Sequence, residues 1–155
     1  MSEKTAPGVE EQLVVFMLAN ECYGVDIARV HEIIRLQAIT KVPRTPAYVE
    51  GIINLRGRVN PVVDLRHRLD LPVEEPTSSS RIVIVEMGGQ TLGLIVDAVS
   101  EVLRISSAIV EPPSSILTSI DAEYIRGIAK LADRLVILLD LEKVMSILEP
   151  GAIAA

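Results

Sequence analysis

The apolar positions of the chain fall in short runs separated by turn residues, a pattern of strands more than of long helices. Leu13–Leu18 is continuously apolar, Ala19-Asn20-Glu21 reads as a turn, and Tyr23–Ile27 alternates in the manner of a returning strand. Ile27, Val30, Ile33 and Ile34 then fall at helical spacing, which predicts a short helix from Asp26 or Ile27 to Ile34. A further strand, about Leu36–Val42, is expected to stop before Pro43, and Pro46 is placed to open one helical turn through Glu50. Arg81–Met87 and Thr91–Val96 read as a hairpin that turns at Gly88-Gly89. Ile82–Val85 and Leu135–Leu139 show no polar alternation, so both faces of these strands are expected to be buried, as in two barrels packed against each other. Leu141–Leu148 suits a C-terminal helix ended by Pro150-Gly151.

The stretch Gly51–Leu65 organises the chain. Ile52, Ile53 and Leu55 form one apolar run, and Val59, Val62 and Val63 form the next. Arg56-Gly57 supplies the bend between them, with Gly57 taking the positive φ of a close reversal. Pro61 has no N–H to donate and marks an edge or a bulge, while Asp64 stands at an N-cap position. Tyr48–Leu65 aligns without gaps on Tyr124–Leu141, 76 residues later, with seven of eighteen positions identical. These include Tyr48/Tyr124, Gly51/Gly127, Arg58/Arg134 and Asp64/Asp140. Upstream, Gly24, Val30 and Glu32 are matched by Gly93, Val99 and Glu101 at an offset of 69. The chain is therefore a duplicated unit. One domain over 12–148 is expected, with lobes of about 12–70 and 81–148 and flexible tails at 1–11 and 149–155. Asp70–Ser80 is the linker, and Val110–Ser119 is an extra loop of the second copy.

Composition narrows the function. With 49 % hydrophobic but only 3 % aromatic residues, the core is aliphatic, a mix that favours strands. The net charge of −6 and the lack of a basic stripe argue against nucleic acid as partner. Cys22 is alone, which fits a reduced thiol in a cytoplasmic protein. No apolar run is long enough to insert directly into a membrane as a helix. Catalytic constellations are thin: His31 and His67 lack a second ligand at metal spacing, no Gly-x-Ser-x-Gly elbow exists, and Gly88-Gly89 is a turn and not a phosphate loop. An enzyme is the weaker reading, and no metal or cofactor site is expected.

Gly-Ile-Ile-Asn-Leu-Arg-Gly (51–57), Pro-Val-Val-Asp-Leu (61–65) and Val-Asp-Ala-Val-Ser-Glu-Val (96–102) resemble the CheW-like domain family of bacterial chemotaxis coupling proteins. The resemblance implies a mainly β fold of two pseudo-repeated, intertwined SH3-like five-stranded β-barrels, with short helices and a C-terminal helix. It also implies a non-catalytic adaptor that links chemoreceptors to the histidine kinase CheA. One surface would meet the kinase's regulatory domain. A groove between the lobes would receive the cytoplasmic hairpin tip of a methyl-accepting chemoreceptor, recruiting the protein to membrane receptor arrays. Alternatives are a module of a related chemosensory pathway, such as pilus motility, or of a CheV-type protein. No kinase or receiver sequence flanks the repeats, so a free-standing coupling protein is expected.

The residues expected to serve partner binding are Val30, Glu32, Gly51, Arg56, Gly57, Gly93 and Val99. The glycines serve either backbone geometry or the close approach of a partner. By resemblance, Val30 borders the receptor surface and Val99 lies near the groove; core packing is the rival role for both. Where the first copy has Arg56, the second has Ala132, so Arg56 is assigned to an interaction special to the first lobe, with Glu32 as its partner. Arg58 and Arg134, present in both copies, are expected to cover strand edges.

Overall fold

Three two-residue turns set the strand register. Ala19-Asn20, Arg56-Gly57 and Gly88-Gly89 each hold both residues at positive φ, the pattern of type I′ turns, whose twist matches that of paired strands. They join β1 (Glu10–Leu18) to β2 (Glu21–Asp26), β4 (Val49–Leu55) to β5 (Arg58–Asp64), and β6 (Arg81–Met87) to β7 (Gln90–Val96). The other strands are β3 (Val30–Arg35), β8 (Ala98–Ser106), β9 (Val110–Glu111), β10 (Ile125–Lys130) and β11 (Leu135–Leu139). Two short helices, α1 (Leu65–Arg68) and α2 (Leu141–Met145), are capped by Asp64 and Asp140, whose side chains accept from Arg66 N and Lys143 N. This computed structural model describes residues 9–113 and 124–146.

The linker divides the sequence repeats but not the sheets. One sheet has the order β8-β1-β2-β11-β10-β9 and the other β3-β6-β7-β5-β4. Each half thus donates its leading hairpin to the sheet built by the other half. The halves meet through the antiparallel pairs β1–β8 and β3–β6 and through the parallel pairs β2–β11 and β5–β7. Gly24 and Gly93, equivalent in the repeat, lie in the parallel pairs, where a Cβ would press on Val136 at 3.2 Å and on Ile82 at 2.8 Å. The edges of each curled sheet are tied in matching ways. Thr40 bridges to Ile52 across β4, and Glu111 pairs with Ile128 across β10. The second of these ties makes its sheet six-stranded, where five strands per barrel were expected.

The unbroken apolar runs follow from this arrangement. Val14, Phe16 and Leu18 of β1, with Val83 and Val85 of β6, face a core shared by both sheets. Leu13 and Val15 face a second core inside the six-stranded sheet, and Ile82 and Ile84 a third inside the other. Strands with a core on each side need apolar residues at every position. Arg68 lies at the shared junction, its guanidinium 4.6 Å from the Tyr48 ring centre and 4.3 Å from that of Tyr124. These two tyrosines are partners in the repeat.

Several local expectations are corrected. The predicted helix over 26/27–34 is a single 3-10 turn, Ile27–Arg29, followed by β3. Inward and outward positions alternate along β3, and the β-branched Val30, Ile33 and Ile34 favour a strand. Leu36–Val42 is not a strand; Thr40 alone makes a bridge. Pro46 opens a hydrogen-bonded turn, closed by Val49 N to Pro46 O, in place of the expected helical turn through Glu50, which already lies in β4. Strand β1 starts at Glu10, inside the segment expected to be a tail. Leu135 is 55 % exposed, so β11 is buried on both faces only beyond it. Of the extra loop, Val110–Glu111 form β9, while 114–119 lie outside the described residues, as do 147 and 148 of the C-terminal helix.

Pro61 resolves as an edge-like position. It pairs with Ile52 of β4, whose own N–H and C=O are both bonded to Thr40 and so point away from β5. On the other side of β5, the ladder with β7 begins only at Val62.

Candidate functional site

The turn between β4 and β5 carries the candidate surface. Gly57 has φ +84 and donates its N–H to Asn54 Oδ1 at 2.9 Å. Arg56 also sits at positive φ, +52, a conformation that costs a non-glycine residue roughly 1 kcal/mol. From there its guanidinium reaches the Glu32 carboxylate on β3 through two contacts, one from Nη1 to Oε2 at 3.2 Å and a closer one from Nη2 to Oε1. Strands β3 and β4 are opposite edges of their sheet in hydrogen-bonding order, so the ion pair also shows how far that sheet curls. The expected meeting of Arg56 with Glu32 is present.

The second copy holds a related pair that the sequence comparison missed. Glu101, the counterpart of Glu32, pairs with Arg134, and Arg134 is the counterpart of Arg58. Arg58 itself is exposed, with no acidic partner among the described residues. The acid therefore keeps its place in both copies, while its arginine moves by two residues, from the position just before β11 to the middle of the β4–β5 turn. This move brings the guanidinium to the surface: the Arg56 side chain is 68 % exposed and that of Arg134 is 29 % exposed. The signal was present in the sequence, since Glu32/Glu101 and Arg58/Arg134 are both repeated.

The remaining predicted residues divide by burial. Gly51 is buried at φ +148, and a Cβ there would fall 2.1 Å from the Thr40 carbonyl oxygen. Gly127 is its image, with a Cβ 2.7 Å from Glu111 O. Gly93 is buried between β6 and β5. The space these glycines leave is filled by the chain itself. Gly57 alone of the predicted three opens onto free space, with nothing within 4 Å of the Cβ position. Val30 and Val99 are half-buried against the shared core. His31 is exposed on β3, 3.7 Å from Glu86, and Cys22 is a half-buried free thiol beside Met17.

A second polar cluster ties the lobes together. Arg66 on α1 donates to Asp97 through Nε (2.8 Å) and Nη2 (2.6 Å), and to the Pro72 carbonyl through Nη1 (2.7 Å). Asp97, between β7 and β8, also accepts from Ala19 N in the β1–β2 turn at 2.9 Å. One carboxylate thus joins both sheets and, through Arg66, the linker. The hydrogen bonds from Arg66 hold the Asp97 carboxyl below its ordinary pKa against the opposing effect of burial, and Arg66 is raised in turn. No described helix is long and apolar enough to cross a membrane.

Comparison with known proteins agrees over nearly the whole chain. The family described as the CheW-like domain matches residues 12–149. The chain is 31 % identical over 146 residues to the chemotaxis protein CheW of Klebsiella aerogenes, covering 94 % of this chain and 88 % of that one. It is 37 % identical over 139 residues to the chemotaxis protein CheW of Treponema pallidum, covering 87 % and 82 %. The crystal structure of the scaffolding protein TtCheW from Thermoanaerobacter tengcongensis superposes with a TM-score of 0.83 at 44 % identity, covering 93 % of this chain and 96 % of that one.

Proposed function

Because the chain belongs to the CheW-like domain family, we propose that it is a non-catalytic adaptor coupling transmembrane chemoreceptors to the histidine kinase CheA. In this reading it works in the cytoplasm, recruited to membrane receptor arrays. The observation that carries the assignment is the Arg56–Glu32 pair on the β4–β5 turn. An exposed pair contributes only ~0.2–1 kcal/mol to folding. Arg56 also sits in an unfavourable backbone region, so stability is a poor reason for placing arginine there. Orienting a bidentate guanidinium toward a partner is a better one.

Arg56 and Glu32 then form a contact of the signalling complex, with Arg56 on a turn shaped by Gly57 and held by Gly51. Gly93 acts from inside, by letting β6 and β5 flank β7 closely. Val30 borders the receptor-binding surface and Val99 lies near the groove between the lobes. Kinase regulatory domain and adaptor share one double-barrel plan, so end-to-end contacts between them can close into rings.

The test is co-precipitation with a cognate CheA and a receptor cytoplasmic fragment. Arg56→Glu is expected to keep the melting temperature and weaken the ternary receptor–kinase assembly. Adding Glu32→Arg should restore part of it. Equal binding by the wild type and Arg56→Glu would refute the assignment.

A further inference from the structure

The duplication places the same cleft twice. One, of about 650 Å³, is lined by Glu50, Asp64, Arg66, Ile95, Val96 and Asp97. The residues at the matching repeat positions are Arg126, Asp140, Glu142, Asp26, Ile27 and Ala28. These line a second cleft, of about 900 Å³.

The two clefts differ in what runs along them. The segment from α1 to β6 passes the first, supplying Val73–Thr77 to its wall, and Arg66 holds it through Pro72 O and through Glu74 at 3.6 Å. At the second cleft the equivalent neighbours are α2 and the start of β1, the last and first described elements, and no described segment takes the place of the linker.

The chemistry is also reversed. Glu142 stands where Arg66 stands, Arg126 where Glu50 stands, and Ala28 where the partner of Arg66 stands. Glu10, Glu11, Asp26, Asp140 and Glu142 outnumber Arg29 and Arg126 around this cleft. Asp26 and Asp140 are engaged as caps and Glu11 bonds Arg126 at 2.8 Å, which leaves Glu10 and Glu142 exposed with no cationic partner among the described residues.

We propose that the second cleft receives an extended, basic segment of a protein partner, laid as residues 72–77 lie along the first and bearing Lys or Arg where the linker bears Glu74. Charge complementarity selects such a segment over the chain's own residues 147–155, which carry Glu149 and no Lys or Arg.

The probes are two synthetic decapeptides of residues 71–80, one native and acidic, the other carrying Glu74→Lys and Glu75→Lys. Each is titrated into the isotope-labelled full chain and followed by amide chemical shifts. The basic peptide is expected to move Ala28, Arg126 and Glu142 saturably, at least tenfold more tightly than the acidic one. Glu142 is exposed, so Glu142→Arg should fold with an unchanged melting temperature and should reverse the preference, because an arginine then stands as Arg66 does. Absence of shifts at the cleft, shifts confined elsewhere, or an unreversed preference would each overturn the proposal. Binding that appears only after residues 147–155 are deleted would also overturn it, giving the cleft to the chain's own C-terminal segment.

Discussion

Replacing Asp97 tests what holds the two lobes in register. Asp97→Ala removes three hydrogen bonds at once, two from Arg66 and one from Ala19 N, and leaves a guanidinium that is only 11 % exposed without its carboxylate. Breaking a fully buried ion pair costs ~3–5 kcal/mol, whereas a surface pair contributes ~0–1 kcal/mol. Asp97 is 33 % exposed and so lies between these limits. A loss of about 2–3 kcal/mol is expected, which lowers the melting temperature of a chain this size by roughly 5–10 °C. Urea denaturation should show a lower midpoint with an unchanged slope, since the surface exposed on unfolding is the same. Arg66→Ala should cost a similar amount, and the double variant should show coupling of at least ~1 kcal/mol. The pH dependence follows from the lowered carboxyl of Asp97. A group depressed in the folded state stabilises fully above its unfolded value, ~3.9 for aspartate, and its contribution is lost as pH falls from there through the folded-state value. The stability difference between wild type and Asp97→Ala should therefore be constant near neutrality and shrink only in acid. A midpoint shift worth less than ~0.3 kcal/mol, or a coupling near zero, would refute the reasoning.

Gly51→Ala should cost more than about 3 kcal/mol, because the new Cβ would meet the Thr40 carbonyl at 2.1 Å in a strained backbone, whereas Gly57→Ala should cost about 1 kcal/mol; calorimetry of both separates packing from turn geometry. Val30→Ala, which trims a half-buried side chain at the edge of the shared core, should destabilise by roughly 1–2 kcal/mol and weaken receptor binding by more than that; equal losses would assign Val30 to the core alone. Arg134→Glu places a carboxylate against Glu101 and should lower stability measurably while leaving the ternary assembly near wild type, the opposite of Arg56→Glu.

Much of the fold was legible because hairpins are local. Arg56-Gly57 and Gly88-Gly89 announce their turns, Asp64 and Asp140 their caps, and the repeat of Tyr48–Leu65 announces the duplication. What failed was non-local. Ile27, Val30, Ile33 and Ile34 satisfy a helical period in isolation, but β6 is available to pair with that segment from 50 residues away, and the strand wins. Thr40 is not held by a propensity of its own; it is placed by Ile52. The exchange of leading hairpins leaves no local trace, since each strand needs only an apolar partner and either half can supply it. The candidate site was legible where the repeat made a difference visible, as at Arg56 against Ala132. It was misread where the difference lay in which of two arginines meets the acid.

A duplicated chain is informative where its copies disagree. Most matching positions keep matching work: Tyr48 and Tyr124 flank one guanidinium, Gly51 and Gly127 admit a carbonyl, and Asp64 and Asp140 cap a helix. Against that background, four departures that change charge stand out. Arg68 faces Val144, Arg66 faces Glu142, Asp97 faces Ala28 and Arg56 faces Ala132. The first three lie around the lobe junction and make one side a latched, linker-walled cleft while the other is lined mainly by carboxylates. The fourth shifts the paired arginine from a half-buried position just before β11 to an exposed turn in one lobe only. Two lobes of one fold thereby present different surfaces, which is the property an adaptor needs if it is to meet unlike partners without binding either of them twice.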